Sequence, residues 1–172
     1  MRNRLLFLLV FLATSTSYAQ IVGTNVYLKG GYLEIGMISD GAFGAPAPPA
    51  GYHPHFGSLA EVYDYGHDGW TVGTPPYMGD YTYPGYPFEG WEVQWGGTAR
   101  VQGFQSGYIF GGGATMTGSA ITSYSNVGGN KRACWQGTTG PGGIMLMKSE
   151  TRVDTLASAV VVTLKFINTS AT

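Results

Sequence analysis

ASAVVVTLKFIN, residues 157–168, is the strongest strand signal in the chain. Its β-branched and aromatic side chains suit a pleated, half-buried surface, and Val162, Leu164 and Phe166 alternate with their neighbours. Working outward, no helical period of useful length and no repeat of 20 to 50 residues interrupts the β pattern. Residues 144–153 form the preceding strand, and Asp154-Thr155 turns the chain between the two. Residues 131–137 (KRACWQG) pair back as a hairpin on residues 120–125 (AITSYS), across the turn cluster 126–130. Further upstream, residues 91–95 (WEVQW) place Trp91, Val93 and Trp95 on a core face, with Glu92 and Gln94 opposite. Residues 26–29, 32–38, 58–63, 98–101 and 108–110 read as shorter strands, and Gly30-Gly31 marks a bulge or tight turn. Glu34 alternates with Leu33 and Ile35, so it is expected to face solvent or a partner. Residues 40–56 are a loop in which Pro46, Pro48 and Pro49 disfavour sheet. The fold class is therefore all-β, an antiparallel β-sandwich of roughly eight to ten strands with long loops rich in Pro, Gly and aromatics.

Composition agrees. The chain has 172 residues, with 28 glycines, 14% aromatic and 11% charged side chains. That mixture suits short strands joined by glycine-rich turns rather than helices or a disordered chain. Arg2 and Arg4, the apolar run 5–13 and Ser17-Tyr18-Ala19 read as a signal peptide, residues 1–19, cut before Gln20. The apolar run is shorter than the roughly 20 residues that span a bilayer, and no later segment is long and apolar enough. Residues 20–172 are then one β-rich domain, secreted or held at the cell surface. Without the leader, seven basic and ten acidic side chains remain, a net charge of −3. No basic patch exists, which argues against a nucleic acid partner. The lone Cys134 forms no intrachain disulfide and is expected to be a small buried apolar residue.

Chemistry, if present, is expected between residues 64 and 95. That stretch holds three of the four tryptophans, five tyrosines and five of the ten acidic residues. Asp64 and Asp68, within DYGHDGW, sit at alternate positions of a candidate calcium loop bent by Gly69. Gly66 lacks a ligand at position three and Pro75 occupies position twelve, so a complete EF-hand loop is excluded. Glu61, Asp80 or carbonyls would have to complete the site. The competing reading is an Asp-rich turn whose side chains cap their own backbone. Calcium is the one cofactor the sequence suggests. Trp70, Tyr77, Tyr81, Tyr83 and Tyr86 are candidates for a sugar-stacking platform, or for aromatics that glue the loops down. Asp80, Glu89 and Glu92 raise a carboxylate pair for glycoside hydrolysis, with no hydrolase motif around them. His53 and His55, two apart on an extended segment, point to opposite sides and are poor co-ligands of one metal.

Three pieces carry a resemblance: residues 32–54 (YLEIGMISDGAFGAPAPPAGYHP), 64–91 (DYGHDGWTVGTPPYMGDYTYPGYPFEGW) and 160–172 (VVVTLKFINTSAT). Their order resembles the N-terminal region of large exported cell-surface proteins of Bacteroidota, gliding-motility and adhesin-like. The resemblance implies a chain that continues past the Asn-Thr-Ser segment and a type IX secretion route. Gly66 and His67 replace acidic residues of the family pattern, which weakens the ion site. Asp154-Thr155-Leu156 is similar to the short motif these bacteria O-glycosylate, which would make Thr155 an acceptor.

The function that follows is a non-catalytic, cell-surface structural or adhesive β-domain, with surface glycans or other surface proteins as partners. The alternatives are a carbohydrate-binding module using loop Trp and Tyr, and a glycoside hydrolase-like enzyme.

Overall fold

The computed structural model describes residues 19–54, 57–64, 66–67, 69–70, 90–95, 99–104, 116–127, 129–139, 144–156 and 159–169. The strand expected at 108–110 lies outside them. The described residues form two four-stranded antiparallel sheets and two short pairs. The first sheet comprises β1 (Ala19–Val22), β2 (Asn25–Lys29), β3 (Leu33–Met37) and β6 (Glu61–Tyr63), in the order β1-β2-β3-β6. The second comprises β9 (Thr117–Val127), β10 (Asn130–Thr139), β11 (Met145–Asp154) and β12 (Val160–Asn168), in the order β12-β11-β10-β9. β4 (Ala45–Pro46) pairs with β5 (Ser58–Leu59), and β7 (Gly90–Trp95) with β8 (Ala99–Phe104).

One hydrophobic cluster draws on both large sheets. Val26, Leu28, Leu33, Ile35 and Met37 come from the first, and Ala133, Trp135, Met147 and Val153 from the second. Period-two alternation makes this possible, because β10 and β11 each bury every other residue. The arrangement is consistent with a sandwich. Trp91, Val93 and Ile121 pack against the same cluster. Trp135 is its largest member and is 1% exposed. Its indole Nε1–H donates to the Ser39 carbonyl at 2.7 Å, and Trp91 Nε1–H donates to the Asp40 carbonyl at 2.8 Å. The turn at residues 39–41 is thus pinned by two tryptophans from different strands. Gly41 (φ 80°) is required there, since a Cβ would lie 2.6 Å from the Trp135 ring.

β2 and β3 are buried on both faces, unlike the exposed β1, and three expectations are corrected here. Glu34, expected to face solvent or a partner, is 0% exposed. Residues 40–54 fold back over the face of β2 and β3 that carries Tyr27 and Glu34, and a second cluster of Tyr27, Ala45, Tyr52, Leu59 and Val62 fills the space. Pro46, expected outside sheet, sits in the two-residue strand β4. There it lacks a ladder donor, but its carbonyl accepts the Tyr27 hydroxyl. Residues 58–63 do not form one strand. The chain bends at Ala60, whose carbonyl accepts Gly36 N–H at 3.0 Å, and splits into β5 and β6. Gly36 permits this approach, because a Cβ there would lie 2.3 Å from the Leu59 carbonyl oxygen.

Candidate functional site

The folded-back loop creates a charged cluster around Glu34. Lys29 and Glu34 are direct partners in the β2–β3 register, and Lys29 Nζ lies 2.5 Å from Glu34 Oε1. His53 grips the same carboxylate twice. Its backbone N–H donates to Oε2 at 2.7 Å, and its ring Nδ1 lies 2.9 Å from Oε1. A carboxylate acceptor requires the imidazole hydrogen on Nδ1. Lys29 also donates to the Gly51 carbonyl. A carboxylate removed from water is tolerated only when paired and hydrogen-bonded in this way.

Aromatic rings enclose the cluster. Trp70 stacks on His53 with centroids 4.6 Å apart and planes 3° from parallel. Lys29 Nζ lies 5.1 Å from the Trp70 ring centre and 5.6 Å from that of Tyr52. The Tyr52 hydroxyl donates to the Tyr27 carbonyl at 3.1 Å. Burial, with the Glu34 and Tyr27 charges adding to it, pushes the Tyr52 hydroxyl well above the ordinary tyrosine range. Tyr27 moves the same way, chiefly through burial.

Trp70 is placed by Asp64. The Asp64 side chain is buried, and its Oδ2 accepts the backbone N–H groups of Gly69 and Trp70, each at 3.1 Å. This is the capped Asp turn weighed above against calcium. Trp70 adopts φ 66° and His67 φ 50°, conformations uncommon for side chains of that size. His67 is held by a parallel stack on Tyr32 at 3.8 Å and by the Tyr63 hydroxyl, 2.8 Å from its Nε2.

Of the residues singled out from sequence, Asp64 and Trp70 fall together beside Glu34. Asp68, Tyr77, Tyr81, Tyr83 and Tyr86 lie outside the described residues, as do Asp80, Glu89 and His55. Thr155 sits in the β11–β12 turn. Its hydroxyl donates to the Gly129 carbonyl and lies 3.3 Å from Lys131 Nζ, while its own carbonyl accepts Gly31 N–H at 2.7 Å. Among the described residues, no group of three or more His, Cys, Asp or Glu converges to hold a metal. Lys29, Glu34 and His53 were missed from sequence. The available signal was an opposite-charge pair flanking Gly30-Gly31, the geometry of a cross-strand contact.

The second candidate is an edge. β12 closes one side of its sheet, paired only with β11 among the described residues. Val162, Leu164 and Phe166 are 46%, 48% and 53% exposed. Their direct partners on β11, Thr151, Ser149 and Met147, are buried. The core cover therefore ends between β11 and β12, leaving an apolar face on an open strand. Natural edges are usually blunted by bulges, prolines or charges. β9, the opposite edge, has two register shifts and a run of small polar residues. β12 pairs without a shift from Val160 to Asn168, and Lys165 is its one charge.

Among the described residues no helix is long and apolar enough to cross a membrane. No family model matches the chain, and no curated protein or solved structure matches it either.

Proposed function

We propose that this chain is an exported cell-surface β-domain, sandwich-like and non-catalytic, with a structural or adhesive role exercised by strand addition at β12. One observation carries the reading: a nine-residue edge strand whose apolar side chains remain open while those of its neighbour are buried. An edge of this kind offers backbone donors and acceptors together with exposed apolar side chains, the two elements that β-augmentation uses. The leader-like residues 1–19 and the family resemblance support export. The Glu34 cluster supports a structural rather than a chemical use of its carboxylate, because Lys29 and His53 occupy both oxygens.

The test is binding of a labelled VVVTLKFIN peptide, followed by anisotropy, beside the same peptide N-methylated at alternate positions. Saturable binding that N-methylation abolishes is the expected result. No binding, or binding indifferent to N-methylation, refutes an edge mode of action.

A second reading, sugar binding, is supported by Trp70. A tryptophan held at positive φ beside Lys29 and His53 is strain maintained by its surroundings, and such strain is often associated with ligand sites. A glycan array, run with and without calcium alongside melting curves, tests it. Signal lost in Trp70→Ala supports the platform. An array with no signal removes it. A melting temperature that calcium leaves unchanged removes the Asp64–Asp68 ion site, since a ligand of the folded state raises stability.

A further inference from the structure

We infer that the strand β12 receives is β12 of a second copy of this chain, in an antiparallel two-fold pairing centred on Leu164. The inference rests on the reading of β12 as the working edge. In an antiparallel pair, directly opposed residues share a face, so the even-numbered apolar residues must meet even-numbered residues of the partner. Centring the two-fold on Leu164 satisfies this over the whole strand. Leu164 meets its own copy, Val162 meets Phe166, Val161 meets Ile167 and Thr163 meets Lys165. Aliphatic–aromatic opposition of the Val162–Phe166 kind is among the favourable cross-strand pairs.

Charge selects this register over its neighbours. Shifting the centre to residue 165 sets the two Lys165 side chains directly against each other, which is unfavourable. Centring on residue 163 leaves Ile167 and Asn168 beyond the partner's Val160 end. The Leu164-centred register pairs all nine residues and sets each Lys165 against a neutral hydroxyl. Lys165 already faces Lys148 across β11, so a neutral residue on its other side avoids a third like charge. Among the described residues no further strand pairs with β12, and the strand itself is free of bulge and proline. The product is one continuous eight-stranded sheet in which the open patches of both copies adjoin. A single strand pair buries less than a standard interface of about 800 Å² per partner, so the dimer is weak and reversible.

Sedimentation velocity of the purified protein over a concentration series tests this. The expected result is a monomer–dimer equilibrium with a dissociation constant on the order of 10–100 μM, the weak end for small interfaces. Two variants read the register. Thr163→Glu sets a carboxylate against Lys165 of the partner at two symmetric places, and tightens the dimer by about threefold or more. Thr163→Lys sets like charges there and weakens it by a similar factor. Within one chain Thr163 is opposite Glu150. Thr163→Lys therefore favours folding and Thr163→Glu opposes it, so association and folding stability move in opposite directions. A folding artefact moves them together. Variants that dimerise like the parent overturn the Leu164-centred register. A protein that stays monomeric throughout overturns self-pairing. If VVVTLKFIN still binds it, the edge reading stands and only pairing between whole copies fails; if neither binds, both fall.

Discussion

The indole of Trp135 and the carbonyl of Ser39 meet at 2.7 Å across 96 positions of sequence. This bond ties the second sheet to the turn that leads into the folded-back loop, and Ser119 Oγ joins it at 2.9 Å from the same indole nitrogen. Trp135→Phe keeps an aromatic ring but removes the indole donor and part of the volume. It should lower unfolding free energy by about 2 kcal/mol, from the lost bond and lost volume. Gly41→Ala should cost at least as much, because the new methyl meets the indole and the backbone sits at φ 80°. Urea denaturation of both variants checks this.

Lys29→Met leaves the Glu34 carboxylate buried with His53 as its one ring or ammonium partner among the described residues. Removing one member of a buried pair costs about 3 kcal/mol or more. The double change Lys29→Met with Glu34→Met removes the stranded charge and should recover much of that loss. A double-mutant cycle in urea measures the recovery.

Asp64→Ala frees two backbone N–H groups and the Trp70 turn with them. Loss of such a cap costs about 1 kcal/mol. The variant should also make tryptophan emission more accessible to iodide. That increase should vanish when Trp70 is already Phe, which separates release of Trp70 from general loosening.

Stability against pH follows from Lys131 and Tyr52. Lys131 is 1% exposed, and burial lowers its pKa against a smaller opposing pull from Asp154. Its ammonium is thus penalised in the folded state while both states are protonated. The penalty disappears as pH rises from the folded value to the unfolded value near 10.4. Tyr52 is raised, so its unfolded form ionises first and stability falls once pH passes about 10. Urea midpoints should therefore rise on approaching pH 10 and fall beyond it. Lys131→Met should flatten the rise and Tyr52→Phe the fall.

The second sheet was legible in the sequence because its strands announce themselves locally. Residues 144–153 and 157–168 alternate, and a glycine-rich turn joins the β9–β10 pair. Glu34 was misplaced because alternation reports two faces and does not say which will be covered. The cover over its face comes from residues 40–54, whose prolines and glycines give no period and whose packing depends on Tyr27, Tyr52 and Gly36 meeting in space. The cluster of Lys29, Glu34 and His53 was hidden for the same reason, since the histidine lies 19 positions from the carboxylate. Trp70 was singled out for its ring, and Asp64 for its charge; the hydrogen bonds that join them depend on the turn between.

Hydrogen exchange along β12 at low and high protein concentration tests the central claim most directly. At about 1 μM, the alternate amides of Val160–Ile167 not bonded to β11 should exchange at least tenfold faster than the amides of β10 and β11. At about 500 μM the same amides should slow as the edges pair, while β9 stays unchanged. Amides of β12 as protected as those of β10 at both concentrations would contradict an open edge.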